Sequence, residues 1–168
     1  MTNLLHDAFR HHAWATDRIL EAGSSLTDEE LTSPAHGTYG PILDTLRHLV
    51  GNDAWYLWVI TAGKAERIDE DTMSIPELRD AARASAAHWE ELLAGDLDAE
   101  QDVARIDHDF EFHAPLGLRL AQALHHGTDH RSQVCTALTS LGIEPPLIDV
   151  WDWGAAVGRT REVGERHD

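Results

Sequence analysis

The chain has 168 residues, with 13 basic against 30 acidic side chains and a formal charge of −17. A surface that negative repels phosphate backbones and anionic lipid, which argues against nucleic acid and membrane surfaces as partners. Cys135 is the only cysteine, so an internal disulfide and a cysteine-rich zinc site are excluded.

The length suits a single domain over 1–168, with no composition break near the middle. No basic-then-apolar leader and no apolar span stand in the sequence, and the expectation is a cytoplasmic protein. Leu5, Ala8, Phe9, His12, Ala13, Ile19 and Leu20 recur at helical spacing and predict a first helix from Leu4 to about Ala22, stopped by Gly23. Thr27 and Glu30 form a capping-box pattern that predicts a short connecting turn. Pro41, followed by Leu43, Leu46, Val50, Leu57 and Ile60, predicts a second helix over about 41–62, and the charged stretch after it reads as a loop. Ser74 and Glu77 repeat the capping box and open a third helix with Leu78, Ala82, Trp89, Leu92 and Leu93, closed by Gly95.

Between Asp96 and Pro115 the helical period fades. Val103, Ile106, Phe110 and Phe112 partly alternate, as in an extended segment or small hairpin. Helical spacing returns from Leu116 to Leu141, stopped by Gly142 and Pro145-Pro146. Asp149 can cap a last short helix holding Val150, Trp153 and Val157, and residues 159–168 are expected to fray. The predicted fold is all-α: an up-down four-helix bundle with short extra helices and an irregular or hairpin segment before the last long helix.

His126 and His130 stand four apart on the fourth long helix, offset by about 40°, so both rings can address one ion. In a chain with 12 histidines such a spacing carries little by itself, and a third ligand is needed. His125 lies five from His130, about 140° around the helix, and is expected to point elsewhere. His48 interrupts the apolar face of the second helix, where a buried imidazole requires a polar partner or a metal.

Three strings now stand together: Leu46-x-His48-Leu49 with Asp53 and Trp55, His126-x-x-x-His130-Arg131-x-Gln133, and the opening Trp14-Ala15-Thr16-Asp17-Arg18-Ile19-Leu20. In combination they resemble the DinB/YfiT-like superfamily of metal-dependent enzymes, which is unrelated to the DNA polymerase of similar name. The similarity runs from about Leu4 to Trp153, with Ser132 where many relatives have Gly. It implies a four-helix bundle, often homodimeric, with a divalent ion on His48, His126 and His130. Zinc is the first expectation for that ion, with nickel or iron as alternatives. The resemblance further implies a small-molecule substrate and either thiol S-transfer, with a low-molecular-weight thiol, or hydrolysis. Of the two, thiol transfer is preferred because no general base stands out beside the ligands in the sequence. The alternative is a non-catalytic, stress-related protein that binds a metal or a small ligand.

Asn52 and Trp55 follow His48 by four and seven, and Gln122 precedes His126 by four, so these three are expected to line the pocket. Asp53 is expected as a solvated helix carboxylate, with an acceptor behind a ligand or a base as the alternatives. Trp14, Trp58 and Trp89 are expected to pack, and Cys135 to be an inert thiol. His6, His11, His12, His36, His88, His108, His113 and His167 show no convergent spacing and are expected at the surface.

Overall fold

In the computed structural model, which describes residues 5–163 without the side chain of Asp107, four long helices carry the fold. These are α1 (His6–Gly23), α3 (Ile42–Ile60), α4 (Ile75–Ala94) and α5 (Leu116–Ser140). Shorter elements are α2 (Asp28–Thr32), a 3-10 turn at Glu70–Thr72 and α6 (Val150–Ala156). The antiparallel hairpin of β1 (Asp102–Asp107) and β2 (Phe110–Pro115) stands before α5, where the alternation placed it. Residues 164–168 of the charged end, including His167, lie outside the described residues.

Local chemistry sets the boundaries. At the start of α2, Thr27 N–H donates to Glu30 Oε2 (2.8 Å) and Glu30 N–H donates back to Thr27 Oγ1 (3.3 Å). Ser74 N–H likewise donates to Glu77 Oε2 (2.7 Å) ahead of α4. Gly142 takes φ +75°, and Ile143 N–H then reaches the carbonyl of Leu138 at 3.0 Å, closing α5. Asp149 Oδ1 accepts from Trp151 N–H at 2.7 Å and starts α6.

Around the bundle the order of neighbours is α1, α4, α3, α5. Phe9, Leu57, Trp89, Leu93 and Leu120 form one buried cluster, whereas Ile19, Leu46, Leu78 and Leu138 form a second. Each cluster draws on the start of α1 and α5 and the end of α3 and α4, or the reverse. The helices therefore run up, down, down, up, which keeps the all-α bundle but departs from the expected up-down alternation, because residues 61–74 carry the chain back before α4 begins. Between the two apolar clusters lies a polar layer that includes the buried His12, Thr16, His130 and Arg131. No described helix is long and apolar enough to cross a membrane.

Candidate metal centre

His48 projects from α3 toward His126 and His130 on α5, in the middle of the bundle. One nitrogen of each ring lies within 4.8 Å of the others. The Nε2 atoms of His48 and His126 are 3.3 Å apart. Two nitrogens about 2.0–2.1 Å from one ion at the tetrahedral angle are also about 3.3 Å apart, so this pair is spaced as two donors to one divalent ion would be. The residues present fit a divalent cation, and His125 is exposed and outside the cluster, as its angle required.

The electrostatics suit ligation. Burial, followed by the nearby His130 and His48, pushes the His126 pKa down to about 4. Burial and then His130 also lower that of His48. Rings that resist protonation keep a lone pair for a cation. The tautomer of His130 is set by Gln133: its Oε1 accepts from the backbone N–H of Tyr39 (2.9 Å), which identifies it as the oxygen, and also contacts His130 Nδ1 (3.1 Å). Nδ1 therefore carries the proton and Nε2 is left as the donor to a metal.

The His126 shift has a consequence for stability. Above pH 6.5 the ring is neutral whether the chain is folded or not; as pH falls from 6.5 toward 4, the unfolded chain gains a proton that the folded chain refuses. With a chelator present, urea midpoints are expected to fall across that interval, with His48, whose pKa is also lowered, contributing. His126→Asn should flatten part of the slope, and a slope unchanged in this variant would contradict the assignment.

Aromatic rings frame the trio. Tyr39, between α2 and α3, stacks on His48 with centroids 4.0 Å apart and meets His130 edge-on at 5.4 Å. Tyr56 meets His126 edge-on at 5.6 Å. Among the pocket candidates, the Asn52 carboxamide nitrogen lies 3.0 Å from His48 Nδ1. Gln122 donates to the Tyr56 hydroxyl at 3.2 Å, one residue removed from the trio. Trp55 lines two cavities on the same side of α3. A further cavity of about 390 Å³ reaches His48 between Tyr39, Asp44, Glu70 and Asp71.

Two surface expectations need correction. His12 is 3 % exposed, and Asp53 is enclosed among side chains rather than solvated. Arg131 Nη1 donates to His12 Nδ1 (3.1 Å), so His12 Nε2 carries the proton and donates to Asp53 Oδ1 (3.1 Å). Trp89, besides packing, donates its indole N–H to the same carboxylate at 3.1 and 3.0 Å. Arg131 also donates to Thr16 and Thr128, and burial pushes its pKa down to about 10. The chain Arg131–His12–Asp53–Trp89 thus ties all four long helices together beside the histidine trio.

Gly127, flanked by His126 on α5, lets this network close. A Cβ there would lie 2.8 Å from His12 Nδ1 and 2.9 Å from Arg131 Nη1. Gly127→Ala is therefore expected to destabilise by about 1–3 kcal/mol despite alanine's higher helix propensity, as overpacking does. Chemical denaturation checks the sign: a stabilised variant would show that the network yields freely.

His12 could have been found by its place on the apolar stripe of α1 between Phe9 and Ile19. Tyr39 and Gln133 gave weaker signals, since their roles rest on a loop whose path the sequence does not encode. A protein-family model described as the DinB family matches residues 1–161. No curated protein matches the chain.

Proposed function

Since the chain belongs to the DinB family, we propose that it is an enzyme that uses a divalent ion, zinc first, on His48, His126 and His130 to act on a small molecule. The observation that carries this reading is the convergence of three imidazoles from two helices, with His126 held neutral. Three protein ligands leave room for an exogenous one, as catalytic rather than structural sites do. A divalent ion held there would lower the pKa of a bound water or thiol toward neutrality.

The residues around the trio bear on which nucleophile is used. Asp53 is committed to Trp89 and His12 and is therefore spent as a base at the trio. That favours a low-molecular-weight thiol transferred to an electrophile, which needs no protein base once deprotonated. Hydrolysis is the second reading, favoured by Asp44, Glu70 and Asp71 in the cavity that reaches His48, where a carboxylate can take a proton from water. We assign the activity to the cytoplasm and to a homodimer, supported by the single cysteine and by the exposed Leu147, Val150 and Trp151 around α6.

The test is metal analysis of the purified protein, then turnover with a panel of thiols plus an alkylating electrophile, and with small esters and amides lacking thiol. Stoichiometric metal and a thiol-dependent rate abolished by chelation are expected. Metal without turnover on either panel would make the protein a binder, and turnover that survives chelation would remove the metal from the chemistry.

A further inference from the structure

Three cavities follow one another along a single face of α3. The first, of about 390 Å³, reaches His48; the second, about 300 Å³, shares Glu70 with it and is walled by Asn52 and Arg67. The third, about 390 Å³, shares Trp55 and Arg105 with the second and ends at Phe110, Phe112 and Leu118. His48, Asn52 and Trp55 are spaced four and three apart, so seven residues of helix carry this path about 10 Å.

The far end is built by the hairpin. Val103 pairs with Ala114, Arg105 with Phe112 and Asp107 with Phe110, and directly paired residues share one face of a ladder. Val103 and Ala114, at the base of that face, are buried on the bundle, whereas Phe112 and Phe110 nearer the tip are 48 % and 54 % exposed. Toward the tip this face carries Phe110 and Phe112, stacked with centroids 6.4 Å apart and about half-exposed. Arg119 fixes this shape: it is buried and donates to the carbonyls of Val103 (2.7 Å) and Phe112 (3.1 Å). Arg105 lies over Trp55 at 5.3 Å and over Phe110 at 5.8 Å, adding a cation beside the rings.

A preformed, mostly apolar recess with four aromatic rings and two arginines in its wall, in line with two further cavities toward His48, has the makeup of a ligand subsite. We propose that the recess between Trp55, Phe112 and Leu118 binds the aromatic body of the small molecule whose reactive group meets the histidine trio. Its substrate is then an elongated molecule with an aromatic end about 10 Å from the reacting atom. The link to the trio rests on the metal-site reading, whereas the recess itself does not.

The test uses two probes. Anilinonaphthalene sulfonate, an aromatic anion, should bind with saturation, and Leu118→Trp or Phe112→Ser should weaken it about tenfold, equivalent to about 1.4 kcal/mol. Trp151→Ser, on the exposed α6, should leave that binding unchanged. A naphthyl-capped alkyl hydroxamate should bind the zinc-loaded protein at least about tenfold tighter than acetohydroxamate, with the gain lost in Phe112→Ser. Unchanged sulfonate binding in both recess variants overturns the proposal. So does a dimer that Phe110→Ser dissociates, because the face would then belong to a second copy. Equal affinity of the two hydroxamates for zinc-loaded protein overturns the link to the trio. Failure of the metal reading shows separately, as absence of metal with sulfonate binding intact.

Discussion

Replacement of His126 by alanine should erase the response of stability to a divalent ion while changing the chelated protein little. In the wild-type chain, an ion supplied at 100 times its dissociation constant adds about 2.7 kcal/mol to unfolding free energy. The variant keeps only His48 and His130, and its urea midpoint should no longer move when zinc is added. Without metal the ring contributes its contact with His48 at 3.3 Å, a loss of about 1 kcal/mol, against which removal of a half-buried imidazole works in the other direction. Equilibrium denaturation with and without zinc, alongside metal content, separates the two effects. A variant that still gains stability from zinc would move the ion to other ligands.

Asp53→Ala is expected to have the largest effect on stability itself. Its carboxylate accepts from the Trp89 indole and from His12 Nε2, with only 14 % of the side chain exposed. Truncation orphans both donors and removes the negative charge that faces Arg131 through His12. Each hydrogen bond to a charged group contributes about 1.5–3 kcal/mol, so losing both costs about 3–5 kcal/mol. Asp53→Asn keeps an acceptor and loses only the charge, so it should fall between wild type and alanine. At a urea slope of about 1–3 kcal/mol/M, the alanine variant's midpoint should drop by more than about 1 M. A drop of a few tenths would mean that solvent, not the carboxylate, satisfies these groups.

The long helices were legible because their signals are local. The two capping boxes, Pro41, Gly142 and Asp149 act within a few residues of themselves, and the apolar stripes repeat at a fixed period. The trio was legible for a related reason: two of its histidines share one helix face, and His48 stood out against an apolar one. The buried network was not. His12 and Asp53 are separated by 41 residues and Arg131 from His12 by 119, and their meeting depends on the rotation of three helices about their axes. That rotation is set by packing as close as the approach at Gly127. Asp53 reads as an ordinary helix carboxylate until the helices around it are in place.

Gln133 turns a loop's position into a chemical label on a ring. Its one carbonyl oxygen takes the backbone N–H of Tyr39 and the Nδ1 proton of His130 together. If the segment carrying Tyr39 swings away, that oxygen loses the amide that orients it, and the preference for a proton on Nδ1 weakens with it. The nitrogen resonances of a single imidazole would therefore report whether Tyr39 is in place on Gln133, with no probe attached and no reaction running.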